Sequence, residues 1–169
     1  MLAVGNKVIY PSHGPCLISS IVKKVVDEKT MTFYQLLVLN DGGGTLLIPV
    51  NKILSIGIRP LMNKPEILRL LNRLKRPSTA SADRRQRSRD NQVLLTSGSA
   101  FDLAEIVESL TELIETKPLS FSERGTLERA KRLLVYEISE VTGETNQEVE
   151  DRMDRALIAR TSTKKVCAA

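Results

Sequence analysis

The apolar positions of this chain change period near residue 62. Before it they form short, β-branched runs broken by turn residues; after it they recur every three or four residues. Residues 7–10 read as a short strand, and Pro11-Ser-His-Gly-Pro15 as a turn. Residues 16–26 alternate in part, with Leu17, Ser19, Ile21 and Lys23 on one side and Cys16, Ile18, Ser20 and Val22 on the other. Asp27-Glu-Lys29 is a polar turn. Residues 31–39 are apolar enough for burial on both faces over part of their length. Residues 40–44 reverse the chain, with Gly42-Gly-Gly44 as a hairpin loop because glycine takes positive φ without steric cost. Residues 45–50 return, and 55–59 add a last short strand. Val8, Ile9, Ile18, Ile21, Leu37 and Leu39 are core candidates, Cys16 is a small core residue, and Tyr10 and Tyr34 are half-buried sheet residues. Four or five short strands with tight turns predict a small, curled antiparallel barrel over residues 1–62.

The second part reads as helices. Asn63, Pro65 and Glu66 open the first, supplying or sparing orphan N–H groups, and Ile67, Leu70, Leu71 and Leu74 form its stripe. Arg69, Arg73 and Arg76 fall on a different face. Pro77 ends it, and residues 77–83 form a small, polar loop. Residues 84–96 make a second helix, Arg-rich first and apolar at Val93, Leu94 and Leu95. Ser99 and Asp102 cap a third, with Phe101, Ile106, Val107, Leu110, Leu113 and Ile114 behind them. A Ser120/Glu123 capping box starts a fourth, which carries Leu127, Ala130, Leu134, Ile138 and Val141 and ends at Gly143. Thr145 and Glu148 cap a fifth, with Val149, Met153 and Leu157. Each helix has one apolar stripe, so residues 63–160 must form a compact bundle. From Thr161 the pattern stops, and 161–169 are expected to be a disordered tail. The fold class is α+β.

Charge changes this picture at the junction. Residues 64–91 hold nine basic residues against three acids, more positive charge than the whole chain's net +5. One-signed, local charge of this kind is expected to face a polyanion, with DNA the first candidate. Arg84 to Arg89 are the sharpest part of it. Glu123 and Glu128, by contrast, stand close enough to Arg124, Arg129, Lys131 and Arg132 to make a plain charged helix face there.

Other chemistries find little support. A single His, His13, sits in a turn, so Ser-His-Asp and Cys-His schemes and His-based zinc sites all lack partners. Cys16 and Cys167 are far apart and fit reduced thiols in a cytoplasm. No phosphate-loop or nucleophile-elbow motif occurs. An enzyme would need an acid, a base and a nucleophile that this chain does not assemble. No signal peptide or uninterrupted apolar run of membrane length is present.

Val4-Gly-Asn-Lys-Val-Ile-Tyr-Pro-Ser-His-Gly14 resembles the opening of the CarD/CdnL family of bacterial transcription regulators. Ile48-Pro-Val-Asn-Lys52, Ile56-Gly-Ile-Arg59, Leu119-Ser-Phe-Ser-Glu-Arg124 and Ala130-Lys-Arg-Leu-Leu134 with Glu137 follow at family-like spacing, so that the resemblance spans residues 3–158. It implies a Tudor-like domain over 1–62 that binds the RNA polymerase β subunit. It also implies a helical domain over 63–160 that contacts promoter DNA near the −10 bubble and modulates open-complex stability. The polymerase-facing residues it implies are Lys24, Leu47 and Pro49, Leu47 standing where some members are basic. The DNA-facing residues are Arg84, Arg85, Arg87 and Arg89, with Arg124, Arg129 and Lys131. The family places a Trp wedge just before its Arg-rich run; around Asp83-Arg84 this chain has no aromatic.

The resulting expectation is a cytoplasmic, nucleoid-associated, monomeric protein without cofactor or metal. Its partners are RNA polymerase and promoter DNA, gripped along backbone and minor groove with low sequence preference. The alternative is a Tudor-like interaction module that binds another partner, such as a repair-coupling translocase, without acting on promoter DNA.

Overall fold

The computed structural model describes residues 2–40, 42–77 and 83–167. The chain divides into two compact units, Met1–Leu61 and Met62–Ala169.

In the first unit, β1 (Lys7–Tyr10), β2 (Gly14–Val26), β3 (Lys29–Val38), β4 (Thr45–Pro49) and β5 (Arg59–Pro60) form one antiparallel sheet in the order β4-β3-β2-β1-β5. Asp27 and Glu28 both take positive φ, the geometry a two-residue hairpin turn requires, and Val26 pairs with Lys29 across it. Val8, Cys16, Ile18, Tyr34, Leu36, Val38, Ile48, Ile53 and Ile58 form the core. Tyr34 satisfies its hydroxyl by donating to the Leu2 carbonyl at 3.0 Å. Burial pushes the Cys16 thiol up to about 11, so it stays protonated and packs as a small hydrophobe.

Three expectations need correction here. β3 is buried on one face only: Tyr34, Leu36 and Val38 point inward while Leu37 is 40% exposed. Ile21 is exposed as well. β1 pairs with β2 only from Gly14 to Leu17, and the β2–β3 register slips between Ile18 and Ser20, so the outer part of β2 runs on past its cover. The strand expected over residues 55–59 is confined to its last residue, Arg59. A 3-10 turn (Val50–Lys52) leads into one turn of helix, α1 (Ile53–Ile56), which Gly57 ends at φ 85, leaving Arg59–Pro60 alone to pair with β1. The turn lets Ile53 and Ile58 both reach the core.

The second unit holds α2 (Lys64–Arg73), α3 (Arg84–Thr96), α4 (Ala100–Ile114), α5 (Phe121–Thr142) and α6 (Asn146–Cys167). Capping follows the sequence pattern. Asn63 with Glu66 and Ser120 with Glu123 form reciprocal boxes, Ser99 caps α4, Thr145 just before α6 pairs with Glu148 in its first turn, and Gly143 ends α5 at φ 76. Ile67, Leu70, Leu74, Ile106, Leu110, Leu134, Ile138 and Met153 are almost wholly buried, each contributing about 1.5–3 kcal/mol by leaving water. The expected loop over 77–83 falls mostly on residues 78–82, outside the described residues. The expected disordered tail is corrected: α6 continues to Cys167, because no Gly or Pro after Gly143 breaks it.

Buried charges cross-link this bundle. Arg160 donates from Nη1 to the Glu108 carbonyl at 2.8 Å, and Arg73 Nε lies 3.4 Å from the Glu108 carboxylate. Burial pushes the Glu108 carboxyl up to about 7, outweighing the pull of Arg73 and Arg160.

Candidate functional site

Helical geometry divides the arginine run. Each residue turns about 100° around the axis, so residues two apart face nearly opposite ways. Arg87, Asn91 and Leu95, at steps of four, form the buried stripe of α3; Arg85 and Arg89 lie on its exposed side. Asp83 caps the helix by accepting from the Arg85 amide at 3.0 Å. Arg87, only 4% exposed, places Nη2 3.3 Å from Glu123 Oε1 on α5. It ties two helices together and is withdrawn from the DNA-facing set. The signal for this is Leu95: counting four and eight residues towards the N-terminus reaches Asn91 and Arg87, which a search for apolar residues passes over because both are polar. The side chain of Arg84 lies outside the described residues.

The cations of α5 divide in the same way. Arg124 and Arg129 are exposed and form no ion pair among the described residues. Lys131 is half-buried, 2.7 Å from Asp154 and 3.2 Å from Glu150 on α6. Burial pulls its pKa down, but the hydrogen bonds and charges of Asp154 and Glu150 outweigh that and raise it. It lines a cleft of about 400 Å³ with Glu128 and Glu150 and is a structural cation, which corrects its place among DNA contacts. Arg132, Arg69 and Arg76 are exposed additions to the basic surface. Arg73 is not, because Glu105 and Glu108 hold it.

On the sheet, Lys24, Leu47 and Pro49 come together on one face. Direct cross-strand neighbours share a face. Lys24 stands opposite Met31, Val22 opposite Phe33 and Phe33 opposite Pro49, while Gln35 bridges Ser20 and Leu47. This face lies opposite the one bearing Tyr34, Leu36 and Ile48, so it looks away from the core. It is apolar at its centre, with exposed Leu37 and Leu47, and carries the exposed Lys24 at one end. β4 is an end strand of the sheet, and its outer backbone groups are open to another strand.

No chemical centre stands beside these surfaces among the described residues. His13 meets Tyr10 edge-to-face at 4.8 Å in the turn. Among the described residues no three His, Cys, Asp or Glu side chains are grouped to hold a metal, and no helix is long and apolar enough to cross a membrane.

Residues 2–62 match the family model for the CarD-like/TRCF RID domain, and residues 66–154 match the model for the CarD C-terminal domain. YdeB of Bacillus subtilis (strain 168), provisionally described as a transcription factor, is 29% identical over 153 residues, covering 88% of this chain and 97% of that protein. The solution structure of the 72-residue N-terminal domain of Myxococcus xanthus CarD is 37% identical over 36% of this chain and 79% of its own, with a TM-score of 0.31. With both family models matched in sequence order across its two units, the chain belongs to the CarD family, a family of transcription factors.

Proposed function

We propose that this protein bridges RNA polymerase and promoter DNA, and so modulates open-complex stability. The outward face of the sheet, with Lys24, Leu47 and Pro49, docks on the polymerase β subunit. The exposed edge of β4 offers its backbone groups to a strand of the partner. Arg85, Arg89, Arg124 and Arg129 lie on the phosphates near the −10 bubble. The observation that carries this reading is the sorting of charge in the helical unit. Arg87, Lys131 and Arg73 are each held by acids, while the four proposed contacts stay exposed and without an ion pair among the described residues. Phosphate contacts position without specifying, so sequence preference is low. Two weak sites on one chain gain through effective concentration, so DNA binding by the protein alone is feeble and improves when polymerase is present.

The repair-coupling alternative shares one feature. The model matched by residues 2–62 covers TRCF as well as CarD-like proteins. A domain shared by both groups favours a common target over binding of one to the other. The test is recovery of a purified polymerase β fragment by the full chain, compared with Lys24→Glu/Leu47→Asp. Loss of recovery in the double variant supports polymerase docking. Equal recovery contradicts it.

A further inference from the structure

Ser88 stands inside the arginine run of α3 and is exposed. Its hydroxyl makes no hydrogen bond among the described residues. Thr96, Ser109, Thr126 and Thr142, also on helices of this unit, each donate to a backbone carbonyl one turn back. Ser88 caps nothing and packs against nothing, and serine is only a middling helix former. Its side chain therefore does nothing for this fold.

Its neighbours are cations. Arg85, three residues back and so on the same side of the helix, is exposed, as is Arg89, which follows Ser88 directly. The acids of this segment are engaged elsewhere. Asp83 accepts from the Arg85 amide at the helix start, and Asp90 accepts from the Gln86 side chain at 2.8 Å. The segment is also lightly held. Among the described side chains of residues 83–90 Arg87 alone is buried, and the apolar contacts of α3 with the core begin only at Leu94 and Leu95. Opening the first turns of α3 therefore breaks one buried ion pair and no apolar core, well short of global unfolding. An enzyme that must draw Ser88 into an extended segment can reach it this way.

We propose that Ser88 is a phosphorylation site for a serine/threonine kinase that reads arginine three residues before its target, and that the phosphate switches off the DNA-facing side of α3. Charge patterns around the acceptor are a general means by which kinases choose substrates, and here the pattern is one-signed. The γ-phosphoryl group of a nucleoside triphosphate passes to Ser88 Oγ. Its bond to the β-phosphate oxygen breaks, the nucleoside diphosphate leaves, and the hydroxyl proton goes to the kinase's base. The product carries about −1.5 to −2 charge at neutral pH, enough to cancel Arg85 and Arg89. It takes Arg85 as a charge-assisted partner within the helix and repels the DNA backbone. The inference rests on the DNA-contacting reading above and adds its off state.

The test incubates the full chain with ATP and an arginine-directed serine/threonine kinase and locates the phosphate by tandem mass spectrometry. Retention of a promoter fragment on polymerase holoenzyme is then measured across a salt titration. One phosphoryl group is expected, on Ser88, with none taken up by Ser88→Ala and slow transfer to Arg85→Ala. The phosphorylated protein should lose DNA retention, with the slope of log affinity against log salt lowered by about 1.8 for the two phosphate contacts of Arg85 and Arg89. Ser88→Glu should give a smaller loss in the same direction and Ser88→Ala none, with helix content by circular dichroism unchanged in both. Phosphate absent from Ser88, or transfer as fast in Arg85→Ala, overturns the site. If the phosphorylated protein retains DNA like the unmodified one while Arg85→Glu/Arg89→Glu/Arg124→Glu abolishes retention, the switch is wrong and the DNA reading stands. If neither change alters DNA retention, both are wrong.

Discussion

The Arg87 guanidinium lies 3.3 Å from the Glu123 carboxylate, joining the first turn of α3 to the capping box of α5. One carboxylate thus answers two orphaned groups, the Ser120 amide and a buried arginine. Leaving either charge alone in this nearly dry site is costly. Arg87→Ala is expected to lower stability by about 3 kcal/mol in urea denaturation, as for other broken buried pairs.

Glu123 also sets an acid-side limit. The Ser120 amide first, then the Ser120 hydroxyl and Arg87, hold its pKa below the ordinary 4.5. Its contribution is therefore complete above pH 4.5 and is lost as pH falls through the lower folded value. Glu123→Gln should flatten the stability curve below pH 4.5, measured by thermal unfolding at stepped pH.

Glu108 acts in the opposite direction and in a different window. Its folded pKa, raised from 4.5 to about 7, means that folding takes up a proton between these values. Stability falls as pH rises from 4.5 to 7 and stays lower above it, by up to about 3 kcal/mol at about 1.4 per unit. Glu108→Gln should remove this slope while keeping an amide oxygen near Arg73. A slope that survives the substitution would locate the proton elsewhere.

The arginines two residues apart should behave differently. Charge reversal at Arg85 or Arg89 is expected to leave the thermal midpoint nearly unchanged. It should lower the slope of log affinity against log salt by about 0.9 for each phosphate no longer neutralised. Reversal at Arg87 should unfold the bundle. Equal effects of the three on DNA affinity at unchanged stability would contradict the sorting seen in α3.

Gly125 offers an independent check on the helix. Nothing obstructs a methyl group there, so Gly125→Ala should stabilise the protein by about 1 kcal/mol through helix propensity alone.

Much of the fold was legible because capping and periodicity are local. Asn63/Glu66, Ser120/Glu123, Thr145/Glu148 and Gly143 mark helix ends, and the structure uses all of them. What escaped depended on partners distant in sequence. Arg87 reads as one more exposed cation until Glu123, 36 residues on, meets it, and Lys131 until Glu150 and Asp154 do. Ile21 and Leu37 are as apolar as any core residue; Ile21 is exposed because β2 runs past the cover of β1, and Leu37 because it stands on the outward face of β3. Phe121 is the reverse case. It belonged to a recognisable motif, but its exposure follows from Leu119 taking the inward place.

The bridge itself is tested most directly by retention of a promoter fragment on purified polymerase, with and without this protein, across a salt titration. The wild type should prolong retention. Lys24→Glu/Leu47→Asp and Arg85→Glu/Arg89→Glu/Arg124→Glu should each abolish the gain, the first by losing polymerase and the second by losing DNA. A gain that persists in either variant would contradict the two-surface account.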